Sequence, residues 1–263
     1  MRALIRSIGL IGPGLPDWAS SIALLRGETP YQAAEVQLPA VSALPPAERR
    51  RTGAPVRLAL STGLQALSAG TMSATDVATI FTSSGGDGQV IHEICEVLAT
   101  EAREVSPTRF HNSVHNAPAG YWGIATRSHA ASTSLCAYDW SFAAGLLEAC
   151  AQVQYGSKPV LLVSYDVPYP PPLREARPVH GVLGIALLLD ELGAARGVAS
   201  VNVEFNAERA SATRMENHEL EALRQGNPTG RALPLLAAIA TGASTDIALD
   251  YLDATLRIHI GRE

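Results

Sequence analysis

Residues 132–156 read STSLCAYDWSFAAGLLEACAQVQYG, and this stretch changes period halfway along. Its first part, Ser132 to Tyr138, has the β-branched and aromatic character of a strand. From Asp139 onward Phe142, Leu146, Cys150 and Val153 recur at three- and four-residue spacing, so they share one apolar helix face. Gly156 ends the helix. After three intervening residues, Val160 to Tyr165 (VLLVSY) is a strand of the kind buried on both faces. Strands and helices thus alternate, which suggests an α/β sheet with parallel segments.

Working outward, the same alternation holds. Ala3 to Ile8 reads as a first strand and Asp17 to Arg26 as a helix, with Asp17 as N-cap and Trp18, Ile22 and Leu25 on one face. A second helix, Ala54 to Ala69, closes on Gly70. Val77 to Phe81 is a short strand ending in the turn Ser84-Gly85-Gly86-Asp87-Gly88, followed by a helix from Gln89 to Glu101. The prolines of Val167 to Pro178 exclude regular structure there. Val182 to Leu189 and Val198 to Phe205 read as an antiparallel pair. Ala210 to Arg224 is a polar helix or loop, and Leu233 to Ala240 a helix. In the terminal TLRIHI, Leu256, Ile258 and Ile260 point one way, Arg257 and His259 the other. The expectation is an α/β fold, with a mixed, mostly parallel sheet covered by helices on both faces.

The 263 residues are 47% apolar and 17% charged, which suits a chain with a substantial core. A formal net charge of -5, with no basic run longer than Arg49-Arg50-Arg51, argues against a nucleic-acid surface. The longest apolar run, Val182 to Leu189, is too short to span a bilayer. The N-terminal apolar stretch is broken by Arg6, Gly9 and Pro13, so it does not read as a signal peptide. Cys95, Cys136 and Cys150 follow no metal or disulfide spacing and read as reduced thiols, which points to the cytoplasm. Cys95 and Cys150 fall on apolar helix faces and read as core.

Three blocks, in order, resemble the N-terminal half of β-ketoacyl synthases. They are LPPAERRRTGAPVRLALSTGLQAL (44–67), SPTRFHNSVHNAPAGYWGIATRSHAASTSLCAYD (106–139), and KPVLLVSYD (158–166) followed by VLGIALLLDE (182–191). The second contains an Asn-x-x-Ala-Gly turn, Asn116 to Gly120. Two pieces of it and its continuation, HNSVHNAPAGYW and STSLCAYDWSFAAGLLEA, resemble the shortened chain-length-factor-like subunits of aryl polyene type II polyketide synthases. The resemblance covers about residues 1 to 205. It implies a thiolase-like half-fold in a single truncated domain, 1–263, with 206–263 a family-divergent C-terminal extension.

The resemblance also implies where a nucleophile should stand. The family places a cysteine where a buried strand turns into a helix. Counting back from Gln154-Tyr155-Gly156 puts Asp139 at that position. A carboxylate cannot take an acyl group from a thioester as a thiolate does. Asp139 therefore reads first as the N-cap of the helix beginning near Trp140, worth about 1 kcal/mol. Cys136, three residues earlier, is the alternative nucleophile, although alignment leaves it within the strand as a buried small hydrophobe. The family's two catalytic histidines and lysine come from motifs of the type HGTGT and GHxxG, and nothing like these follows Phe205.

What the resemblance leaves is a partner's role. In the family the strand before the nucleophile pairs with its counterpart across a two-fold axis. Ser132, Thr133, Ser134 and Leu135 would then join a full-length ketosynthase edge to edge, and Phe110, Ser113, Asn116 and Tyr121 would help shape its acyl tunnel. An acyl carrier protein would serve the complex indirectly, and no cofactor or metal is expected. His111 and His115 are four residues apart, but Asn112, Asn116 and Pro118 argue against the regular helix a metal pair would need. The Ser83 to Gly88 turn lacks the Lys of a P-loop. The competing expectation is a stand-alone thiol acyltransferase or thioesterase using Cys136. A degenerate domain kept for structure only is a third.

Overall fold

The strand β4 (Val160–Asp166) is buried at every residue, which requires hydrogen-bonded neighbours on both edges and packed layers on both faces. The computed structural model, which describes residues 1–156 and 158–262, shows how each is supplied. One edge pairs in parallel with β2 (Ala78–Thr82), and the other pairs antiparallel with β5 (Leu183–Asp190). Beyond β2 lies the short β3 (Ser132–Leu135), parallel to it and forming one margin of the sheet. Beyond β5 come β1 (Arg2–Ile11), β6 (Ala199–Asn206), β8 (Ala254–Gly261) and, at the far margin, β7 (Thr245–Tyr251).

The eight strands thus form one mixed sheet, and the expectation that it is mostly parallel needs correcting. Among the described residues only the β3–β2 and β2–β4 pairings are parallel; the other five are antiparallel. The expected pairing of the two strands near residues 182 and 198 is also wrong. Both β5 and β6 pair antiparallel with β1, which lies between them. The ten-residue β1 is apolar enough to be buried almost throughout, so it takes a central place that a sequence-adjacent hairpin would have denied it.

Helices cover both faces. On one side α1 (Trp18–Leu25), α7 (Ser141–Gly156), α9 (His218–Gly226) and α10 (Leu233–Thr241) contribute Leu25, Phe142, Leu146, Cys150, Val153, Leu220, Leu235 and Ile239 to a core under β1, β4, β5 and β8. On the other, α3 (Ala54–Gly70) and α6 (Ala117–Thr126) bury Leu58, Leu60, Tyr121 and Trp122 against Phe81, Val163 and Leu188. A bulge in β1 between Ile5 and Ser7 keeps Ala3, Ile5, Ile8 and Leu10 all on the first face. Residues 206–261 belong to the same body, since β8 and β7 extend the sheet and α10 joins its core.

The smaller elements bring further corrections. α2 (Pro46–Arg49), α4 (Gly88–Leu98), α5 (Pro107–Asn112) and α8 (Leu173–Ala176) complete the helices. α8 is one turn within the proline-rich segment expected to be irregular. Its ring-rich neighbours prevent lengthening, not nucleation. The left-handed residue closing α3 is Thr71 (φ 52°) and not Gly70. Gly70 is required instead by close packing, because a Cβ there would stand 2.4 Å from Leu188 Cδ2.

Candidate functional site

The C-terminal ends of the parallel strands β3, β2 and β4 come together beside the start of α7. In open α/β sheets this is where ligands and chemistry gather. The sheet places Leu135, Thr82 and Ser164 in register, with Asp166 two residues further along β4, where the loops after the strands meet.

β3 ends at Leu135, three residues sooner than the sequence suggests. Tyr138–Trp140 form a 3₁₀ turn running into α7, and Tyr138 adopts φ 54°. A bulky residue in the left-handed region marks a forced strand-to-helix turn. Asp139 does not cap the helix as expected. Its Oδ1 accepts from Arg177 Nη2 at 2.8 Å, and the Arg177 guanidinium lies 3.5 Å over the Tyr138 ring. Ser141 ties the turn together instead: its Oγ accepts from the Ala137 N–H at 3.0 Å and donates to the Tyr138 carbonyl at 2.7 Å. Burial works against the charge on Arg177, but the hydrogen bond and charge of Asp139 more than offset it, so the guanidinium pKa is raised.

Cys136 is also placed differently from expectation. It lies one residue beyond β3 and is exposed, with Sγ donating to the Ser84 carbonyl at 3.3 Å. Cys95 is exposed as well, on the open side of α4, while Cys150 is wholly buried and its thiol is pushed up to about 12 by burial.

Behind the turn sits a polar knot that sequence reasoning missed. Asp166 is 4% exposed. Its Oδ1 accepts from the Ser84 N–H (2.9 Å), Ser84 Oγ (2.7 Å) and Ser83 Oγ (3.2 Å), and its Oδ2 from Thr229 Oγ1 (2.9 Å). Burial raises the carboxyl pKa and these hydrogen bonds partly counter it. The turn after β2 therefore aims the Ser84 N–H and the Ser83 and Ser84 hydroxyls inward onto a carboxylate, while the Gly85 and Gly86 N–H groups donate to Ser83 Oγ. The signal available in the sequence was a lone acid closing an otherwise apolar strand, VLLVSYD.

The expected interface residues divide. Ser132, Thr133, Ser134 and Leu135 form the marginal strand β3, with Ser132 Oγ accepting from Thr79 Oγ1 at 2.8 Å. Phe110 is 68% exposed at the end of α5, Ser113 Oγ donates to its carbonyl, and Asn116 is exposed just before α6. Tyr121 is different: it is 2% exposed and its hydroxyl donates to Asn112 Oδ1, so it packs within this chain. His111 lies in α5 against the Tyr121 ring, whereas His115, in the break before α6, bonds the Ser83 carbonyl.

This sheet, with a helix entered from a forced turn at the end of a marginal parallel strand, defines a thiolase-like fold. The family model for the β-ketoacyl synthase N-terminal domain matches residues 24–247, and the chain belongs to that family. Solved structures agree in fold. "Ketosynthase (ApeO) in Complex with its Chain Length Factor (ApeC)" from Xenorhabdus doucetiae is similar at 22% identity and TM-score 0.73, over 98% of this chain and 99% of that one. The ishigamide ketosynthase/chain length factor gives 13% and 0.73 over 99% of each chain. A β-ketoacyl synthase from Burkholderia phymatum gives 13% and 0.65, over 87% of this chain and 70% of that one. No curated protein matches the chain by sequence. Among the described residues no helix is long and apolar enough to cross a membrane.

Proposed function

We propose that this chain is a non-catalytic, chain-length-factor-like partner of a full-length ketosynthase in a type II, aryl polyene-like polyketide pathway. The observation that carries the reading is Asp139. The residue at the expected nucleophile position is a carboxylate already engaged by Arg177, with Tyr138 stacked beneath the guanidinium. The near end-to-end similarity to chains from ketosynthase/chain length factor complexes supports it.

The two margins of the sheet support it too. At β7 the outer edge is guarded: the Thr213 N–H donates to the Ala248 carbonyl, and Asp246 and Asp250 flank that point. Such devices discourage strand addition. At β3 the sequence Ser-Thr-Ser-Leu is uncharged, and Ile124 and Tyr138 are exposed on the segments before and after it. Phe110, Ser113, Asn116 and β3 would then face the partner and its acyl tunnel, with Tyr121 supporting them from behind.

Co-expression with a full-length ketosynthase from the same organism tests this. A stable 1:1 complex is expected; two proteins eluting separately, each fully active alone, would sink the idea. The exposure of Cys136 keeps one other reading in play, a thiol acyltransferase or thioesterase. Intact-mass measurement after incubation with an acyl carrier protein thioester separates them, since an acyl adduct lost in Cys136→Ser would favour the enzyme.

A further inference from the structure

At the opposite end of β3 from Asp139, the structure holds an apolar cup of about 500 Å³. Its walls are Ala78, Ala131, Ala151 and Val160, with Gln152, Tyr155 and Lys158 at the lip. Four small or branched apolar side chains make this wall without filling it. Tyr155 stands 81% exposed, a large aromatic with no cover from its own chain. Isolated apolar exposure is ordinary, but a concave apolar site rimmed by an exposed tyrosine matches the anatomy of a protein-binding hot spot.

Its position says what would cover it. Ala131 immediately precedes β3, and Gln152 Nε2 reaches Thr133 Oγ1 within the strand at 3.4 Å. A strand added to β3 would run about 4.8 Å away. At Ser132 such a strand must continue past Ala131, beside the cup. The lip carries a cation, Lys158, and the wall carries no acid, so a basic anchor would find no countercharge there.

We infer that this cup receives an apolar anchor, one or more aromatic or branched side chains, from the ketosynthase subunit that pairs with β3. The inference rests on the partner reading above and adds a second contact at the other end of the same strand. It makes α7 a part of the interface: Ala151, Gln152 and Tyr155 all lie on its last two turns. The strand pairing supplies direction, and the cup supplies the register at which a partner can seat.

The test uses the full chain co-purified with the ketosynthase, with complex formation read by light scattering and dissociation by dilution. Ala151→Trp fills the cup and Tyr155→Ala removes its lip. Tyr155 is exposed, so that variant keeps its fold even if the tryptophan strains α7. Each should weaken the complex by about tenfold or more, the scale of a hot-spot loss. Asp246→Asn, at the guarded margin, should change nothing. A wild-type complex unaffected by both variants would overturn the cup while leaving the partner reading intact. No complex with the wild type would overturn both. A homodimer of this chain that Ala151→Trp abolishes would assign the cup to a second copy and overturn the ketosynthase as occupant.

Discussion

Asp166 ends a strand whose other members are almost all apolar, and its four hydrogen-bond donors come from the turn after β2 and from Thr229, which opens a 3₁₀ turn ahead of α10. Removing it strands them, so Asp166→Ala should cost roughly 3 kcal/mol in urea unfolding, as expected for buried groups left unpaired. Asp166→Asn is a milder change. Thr229 Oγ1 also contacts Ser164 Oγ at 2.9 Å, so its hydroxyl can turn toward Ser164 and accept from the new amide. That variant should lie within about 1 kcal/mol of wild type. The sign of the pH effect follows from the raised carboxyl pKa. Between the unfolded and folded values the native state holds the extra proton, so wild-type stability rises as pH falls through that window. Asp166→Asn should lack that rise. The cysteines offer a direct check of placement. Iodoacetamide should label Cys95 and Cys136 in the native protein and reach Cys150 only on unfolding.

The elements that carry the fold were legible because their patterns are local. The apolar face of α7 and the alternation of β8 follow from three- and two-residue periods, and both formed as expected. What could not be read was which strand lies beside which. β5 is apolar from Leu183 to Leu189, a pattern that demands two neighbours without naming them. The site was legible only in part for the same reason. The position of Asp139 came from counting along one helix, but Arg177, 38 residues on in a proline-rich segment, meets it through tertiary structure alone. Close packing at α7 is also testable. A Cβ on Gly145 would stand 2.5 Å from Thr82 Cγ2 and 2.7 Å from Leu162 Cδ1. Gly145→Val should therefore cost about 1 to 3 kcal/mol by overpacking, lowering the urea midpoint with little change in slope.

At the scale of the whole molecule, residues 206–261 finish the sheet on which the site depends. Ending the chain after Asn206 would remove α10, β7 and β8 and uncover Val201, Val203 and the α7 face. Such a truncation should aggregate on expression and should not yield a smaller folded domain. The central place of β1 carries a different kind of consequence. Its two neighbours, β5 and β6, are made about 170 residues after it, so at ribosomal speed it waits on the order of 10 to 30 s with neither edge paired. Through that interval a long, mostly apolar strand of the nascent chain is an open template for the wrong neighbour. Yield in the cell should accordingly track chaperone supply and elongation rate, even where the finished protein is stable.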